Sequence, residues 1–115
     1  MSGSPLTTVI SGLGFAESPR WDGDRLWFVD FFSGRMYASD LAGVDGIVAT
    51  VPGTPGGLGF LPDGTPLVVS QREFAVYSIG PGGKLAKHAD LSAHARGAAN
   101  ELLTDRQGRA YVGHH

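Results

Sequence analysis

The chain has 115 residues, of which 42% are hydrophobic and 17% charged, with a formal net charge of -2. This length allows one domain, and the charge balance argues against a nucleic-acid-binding protein, which needs a basic surface to meet phosphates. No apolar run reaches the roughly 18–20 residues of a membrane-spanning helix, and the absence of cysteine excludes disulfides and thiolate metal sites. The amino end lacks the charged and apolar regions of a secretory signal, so we expect a cytoplasmic protein.

Short apolar runs separated by glycine and proline, which supply 18 and 7 residues, occupy most of the chain. β-branched and aromatic residues fill these runs, as is typical of strands joined by hairpins. No segment has sustained helical periodicity, and only residues 91–99 could form one helical turn. In chain order, the predicted strands are Thr7–Ser11, Leu26–Asp30, Arg35–Ser39, Gly46–Val51, Gly57–Leu61, Pro66–Ser70, Phe74–Ile79, Leu85–Asp90, Glu101–Thr104 and Arg109–Val112. The sequence therefore predicts an all-β chain of short antiparallel strands.

An internal repeat organises these strands. Three segments of fourteen residues, Glu17–Asp30, Gly57–Ser70 and Asn100–Gly113, share an apolar pair, a turn with glycine and an apolar strand, and they start 40 and 43 residues apart. The second halves also repeat, since Met36–Ala38 lies 40 residues before Val76–Ser78. A period of roughly 40–45 residues with four strands per unit is typical of a propeller blade. The alternative is an ordinary β-meander with accidental similarity.

The repeat predicts a partial β-propeller with about two four-stranded blades and the start of a third. We expect one domain over residues 1–115, with the first blade at about 17–52, the second at about 57–92 and the start of the third at about 100–113. In each blade the first strand lines the central channel.

Glu17, Gly57 and Asn100 occupy the same repeat position, where each inner strand starts. We therefore expect Glu17 and Asn100 to converge at one mouth of the channel. Their oxygens suit calcium, magnesium, or a zinc ion with water. Alternatively, Glu17 caps a turn and Asn100 satisfies loop backbone groups.

Three motifs together resemble the gluconolactonase/regucalcin (senescence marker protein) family, in the amino-terminal portion of its propeller. They are Gly12–Trp21 followed by Leu26–Asp30, then Gly56–Gly64, and finally Asn100–Gly113. The likeness covers nearly the whole chain. It implies a six-bladed propeller when complete, one divalent metal ion in the channel, and hydrolysis of sugar lactones.

By this resemblance, Glu17 corresponds to a metal ligand of the family. Asn100 corresponds to an asparagine at the side of the pocket that meets substrate and metal-bound water. Asp30 lies where the family has an acidic residue close to the pocket, and we predict a substrate-binding role for it. Closing the turn at Phe31–Gly34 is an equally good explanation of Asp30.

The sequence also departs from the family pattern. Glu101 stands where an aspartate is common, and Ala98 stands where some members have a sugar-binding arginine, with Arg96 two residues further back. Six blades need roughly 240–270 residues, so the two further ligands implied by the family, including its general base, are missing. We therefore expect this chain alone to be a poor lactonase or none.

The final residues raise the question of truncation. His114 and His115 are native residues or the remnant of a purification tag, and we expect a truncated chain rather than a natural short protein. With His88 and His94, they lie at unrelated repeat positions, which argues against a four-histidine site. Three copies could complete six blades, with Thr7–Ser11 pairing across a chain boundary.

The predicted function is metal-dependent hydrolysis of a sugar or aldonolactone, with this chain holding only part of the site. The ion, calcium or zinc with magnesium as a further option, would polarise the lactone carbonyl and lower the pKa of bound water. The expected partner is a small-molecule lactone, with no nucleic acid and no membrane. The alternative is a non-catalytic propeller module that self-associates or binds a protein partner.

Overall fold

The computed structural model describes residues 5–8, 10–40, 45–94 and 97–114 of the chain. Within these ranges ten strands form three antiparallel sheets, in each of which strands adjacent in sequence are also adjacent in space. The first sheet contains β1 to β4, the second sheet β5 to β8, and the third sheet β9 and β10. The strands are β1 (Ala16–Asp22), β2 (Arg25–Asp30), β3 (Arg35–Ser39), β4 (Asp45–Thr50), β5 (Pro55–Phe60), β6 (Pro66–Ser70), β7 (Ala75–Ile79), β8 (Leu85–Asp90), β9 (Ala99–Thr104) and β10 (Ala110–His114).

The hairpins follow from the turn residues that separate the apolar runs. In the loop between β5 and β6, Gly64 has φ +89, which a residue with a side chain rarely adopts, and its amide donates to the carbonyl of Leu61. Gly108 does the same between β9 and β10, with φ +84 and a hydrogen bond to the carbonyl of Asp105. Asp-Gly and Gln-Gly pairs therefore end these strands where the sequence predicts a hairpin.

Two apolar cores hold the sheets together. Between the first and second sheets, Trp27 packs its ring edge-to-face on Phe60 with a centroid distance of 5.1 Å. Between the second and third sheets, Leu67 and Leu102 are fully buried. Trp21, by contrast, lies at the hairpin end of β1 with 61% of its surface exposed.

The first strands of the three sheets lie side by side, with β5 between β1 and β9. Glycine makes the close approach of β9 possible. A Cβ at Gly59 would lie only 2.7 Å from Cδ2 of Leu102 and 2.8 Å from Cγ2 of Thr104. This arrangement of inner strands confirms the predicted partial β-propeller, with two four-stranded blades and the first two strands of a third. The blade boundaries given above stay predictions.

Two strand predictions were wrong, and the segment in which we considered a helical turn is described only in part. Among the described residues of Thr7–Ser11, none lies in a strand. Thr7, Thr8 and Ile10 instead line a groove beside the first sheet. The described part of residues 91–99 contains no helix, and the short helix that does form is a 3-10 turn at Pro81–Gly83. The inner strand β1 was missing from the predicted strands, although the repeat required it. None of the described helices is long and apolar enough to cross a membrane.

Candidate functional site

The site predicted from the sequence begins at a bulge in β1. Glu17 pairs with Val29 and Arg20 pairs with Trp27, so the two residues between them, starting at Ser18, face one residue of β2. Ser18 has φ +54, a conformation that non-glycine residues adopt uncommonly. Bulges of this kind redirect the side chains beside them.

The same irregularity recurs in the other two inner strands. In β5 it lies between the paired residues Pro55 and Leu58. In β9 it lies between Ala99 and Leu102, opposite the register shift in β10. The bulge lies one residue later in β1 than in β5 and β9, so the first pair of each ladder gives the equivalence. These pairs are Ala16 with Asp30, Pro55 with Ser70, and Ala99 with His114.

The second residue of each inner strand is the equivalent position, and these residues are Glu17, Gly56 and Asn100. The sequence repeat assigns Gly57 to this position, one residue too late. The cause is a difference in hairpin length. Residues 61–65 lie between the paired residues Phe60 and Pro66, whereas only residues 22–25 lie between the equivalent pair, Trp21 and Leu26. The structure thus keeps Glu17 and Asn100 at one register level and leaves a glycine between them.

Glu17 and Asn100 are both half-buried. Neither side chain makes a hydrogen bond or ion pair with any other residue in the part of the chain that the structure describes. Glu17 lines a groove of about 450 Å³ beside Leu26 and Phe28. The oxygens of both side chains are therefore available to a ligand.

Asp30, the third predicted site residue, is buried at the end of β2. Its carboxylate oxygens accept hydrogen bonds from the amides of Phe15 at 2.7 Å and Gly14 at 3.0 Å. Burial raises the pKa of Asp30, but hydrogen bonds from Phe15, Gly14, Ser33 and Phe32 outweigh it, so this pKa lies below its ordinary value. Asp30 therefore stays ionised and secures the loop before β1, while its contact with substrate stays a prediction.

Arg20 contributes a contact that the sequence reasoning missed. Its Nη2 atom lies 3.3 Å from Oε1 of Glu101 and donates to the carbonyl of Leu102 at 3.2 Å. The arginine belongs to the first sheet and both acceptors belong to the third. The repeat contained a signal for this contact. The residues equivalent to Arg20 in β5 and β9 are the uncharged Gly59 and Leu103, so the charge at this position is peculiar to β1.

The donor set for a metal ion is incomplete. Among the described residues, no three histidine, aspartate or glutamate side chains come together. Glu17 and Asn100 offer two side-chain donor groups, whereas calcium takes 6–8 oxygen ligands. The described residues therefore do not by themselves fit a divalent ion. His94 and His114 line one cavity of about 70 Å³, which neither Glu17 nor Asn100 lines. Arg96 and His115 lie outside the described residues.

Comparison with known proteins identifies the family. The sequence profile of the SMP-30/Gluconolactonase/LRE-like region matches residues 15–115, and the search of curated proteins gave no match. A solved gluconolactonase structure from Xanthomonas campestris superposes with a TM-score of 0.78 and 15% sequence identity over 89% of this chain. At that identity the likeness shows the fold alone. This chain covers 35% of that protein. Because the profile match takes in nearly all of its residues, the chain belongs to the SMP-30/gluconolactonase/LRE-like family.

Proposed function

We propose that this chain supplies part of a site for metal-dependent hydrolysis of a sugar lactone or aldonolactone. Its family is gluconolactonase-like, which supports lactone hydrolysis at the level of the family. The observation that carries the proposal is the shared register level of Glu17 on β1 and Asn100 on β9. Because the chain spans about a third of the length of the similar gluconolactonase, the activity is proposed here and not transferred.

Each residue has a chemical role in this proposal. The Glu17 carboxylate binds a divalent cation, with calcium or zinc as first candidates and magnesium as a further one. Asn100 offers an amide oxygen to the cation and an amide NH₂ to a substrate hydroxyl or carbonyl. Asp30 keeps the loop before β1 in place, so that Glu17, the second residue of β1, has a fixed position.

Two ligands do not complete a site, so further oxygens and a general base must come from outside the described residues. A second copy of the chain is one source, and we propose a homo-oligomer that completes the propeller. The predicted pairing of Thr7–Ser11 across a chain boundary is not part of this proposal, because the described residues of that segment are not a strand. A cytoplasmic location stays a prediction from the sequence.

The second candidate function is a non-catalytic module that self-associates or binds a protein partner. The outer face of the third sheet favours it. Leu103 and Tyr111 face each other across β9 and β10, with 63% and 54% of their surfaces exposed. The equivalent pair in the second sheet, Gly59 and Leu67, packs against the third sheet. An apolar pair at a position that elsewhere joins two sheets indicates a surface suited to association.

Hydrolysis of glucono-lactone by the purified chain, followed in a pH-stat, tests the first proposal. Calcium, zinc and magnesium are added separately, and the spontaneous rate of ring opening is subtracted. We expect a weak rate that depends on the cation, that Glu17→Gln abolishes, and that Asp22→Asn leaves unchanged. Asp22 is the matched control, since it is an exposed carboxylate at the other end of β1.

Light scattering under the same conditions separates the two candidates. A cation-dependent rate accompanied by a defined oligomer supports the site built from copies. Association that ignores cations, with no rate above the spontaneous one, refutes the lactonase proposal and favours the non-catalytic module.

A further inference from the structure

We propose that the chain associates head to tail, with Tyr111 on the third sheet of one copy packing against Trp21 on the first sheet of a second copy. The inference names the contact surfaces of the homo-oligomer proposed above, and it rests on that part of the proposal alone. It depends neither on lactone hydrolysis nor on a bound cation. Its basis is a contact that the chain already makes between two of its own sheets.

The contact between the first and second sheets joins two defined register positions. Trp27 on β2 supplies one ring and Phe60 on β5 supplies the other, edge-to-face with ring centroids 5.1 Å apart. We call the position of Trp27 the front position of a sheet and the position of Phe60 the back position. In each sheet, the residue in the back position directly follows the ladder partner of the residue in the front position.

The ladder pairing identifies the equivalent residues of the other sheets. The front position is Leu67 in the second sheet and Tyr111 in the third sheet. The back position is Trp21 in the first sheet and Thr104 in the third sheet. Leu67 is fully buried in the core shared with the third sheet, so the front of the second sheet is covered as the front of the first sheet is.

Two of these positions meet no further sheet in the described part of the chain, namely the front of the third sheet and the back of the first. Both hold large aromatic side chains, with 54% of Tyr111 and 61% of Trp21 exposed. Neither ring packs against another aromatic ring of the described residues. Exposed tyrosine and tryptophan side chains are typical of association surfaces. A pair of Tyr111 with Trp21 would repeat the contact between the first and second sheets.

The surroundings of both rings suit a second copy. The Tyr111 hydroxyl donates to Oδ2 of Asp105 at 3.2 Å, so the ring is oriented by its own hairpin while more than half of the residue stays exposed. Its ladder partner Leu103 is also exposed. Trp21 pairs with Leu26, which lines the groove of about 450 Å³ beside the first sheet. Because the two surfaces differ, the contact is heterologous, with each copy offering one surface to each neighbour.

The test uses two blocked variants, followed by light scattering over a range of protein concentrations without added cations. We expect the wild type to associate as its concentration rises. Tyr111→Asp blocks the front surface and Trp21→Asp blocks the back surface, and each alone should weaken association by roughly thirtyfold or more, as expected for loss of a central aromatic anchor. Phe32→Asp is the matched control, because it adds the same charge at an aromatic residue that is 71% exposed and holds neither position. The control should associate as the wild type does.

Mixing the two blocked variants decides between head-to-tail contact and contact of like surfaces. The Trp21→Asp variant keeps Tyr111, and the Tyr111→Asp variant keeps Trp21, so an equimolar mixture should form a one-to-one pair although neither variant associates alone. The fluorescence of Trp21 should move to shorter wavelength on mixing, because its ring leaves water. If like surfaces paired, one variant would still associate alone and mixing would restore nothing. Either of these results overturns the inference.

The remaining outcomes separate this inference from the proposed function. Circular dichroism verifies the fold of each variant, and Tyr111→Gln with Trp21→Gln repeats the comparison without an added charge. A wild type that stays monomeric at every concentration refutes both this inference and the proposed homo-oligomer. Association that survives both changes refutes this inference and leaves the homo-oligomer standing. Lactone hydrolysis is measured separately in the pH-stat, and its absence leaves the head-to-tail contact to be decided by scattering.

Discussion

Gly57→Ala is the sharpest test of how the third sheet docks. The added methyl group would lie 2.6 Å from Oε1 of Glu101 and would collide with the amide nitrogen of Leu102. Backbone atoms cannot turn away as a side-chain end can, so β9 must move. Overpacking of this kind costs about 1–3 kcal/mol, and replacing glycine by alanine in a compatible conformation returns about 0.4–1 kcal/mol through the unfolded chain. We expect a net loss of about 1–2 kcal/mol in the free energy of unfolding.

Urea unfolding monitored by tryptophan fluorescence and by circular dichroism measures this loss. Gly113→Ala is the matched control, because Gly113 lies in β10 without a positive φ, and no atom lies within 4 Å of the place that the added methyl group would take. The control should be as stable as the wild type or slightly more stable. If Gly57→Ala unfolded at the same urea concentration as Gly113→Ala, β9 would not lie against β5 as described.

Three further changes probe packing and charge. Leu102→Ala removes a fully buried side chain from the core between the second and third sheets and should cost about 2–5 kcal/mol in urea unfolding, whereas the exposed Leu103→Ala should cost less than about 0.5 kcal/mol. Folding lowers the pKa of Asp30, so the ionised carboxylate stabilises the fold above about pH 4, and this contribution is lost as the pH falls through the pKa of the folded state. Asp30→Asn should therefore flatten the pH dependence of the free energy of unfolding in that range. An unchanged pH profile would refute this. Arg109→Gln should raise the pKa of Asp105 from about 2 towards its ordinary value in an NMR titration, and a pKa that stays near 2 would show that the arginine is not its cause.

The sequence predicted most strands because their apolar runs end at turn residues. Arg35–Ser39, Pro66–Ser70 and Leu85–Asp90 are strands with the predicted bounds. β1 was missed because its bulge places Ser18 and a proline inside the strand, which breaks the alternation of apolar and polar residues. Thr7–Ser11 has the composition of a strand, but composition does not show whether a segment pairs with a ladder or packs on a sheet.

The candidate site was predictable only in part. The repeat brought Glu17 and Asn100 to one level, since equivalent strands of a propeller carry equivalent residues to the same place. The sequence repeat aligned Gly57 with Glu17 and Asn100, whereas the structure aligns Gly56 with them. An alignment without gaps cannot account for the one extra residue in the hairpin after β5. The contact of Arg20 with the third sheet depends on how closely β9 approaches β5, which follows from packing and not from local sequence.

The central claim is that Glu17 and Asn100 serve one ligand, and a double-mutant cycle tests it most directly. Calcium affinity is measured by calorimetry for the wild type, Glu17→Gln, Asn100→Ala and the double variant. If both residues bind one ion, each single change weakens affinity and the double change weakens it by less than the sum. Strictly additive losses, or calcium binding that neither change affects, would show that the two residues do not form one site.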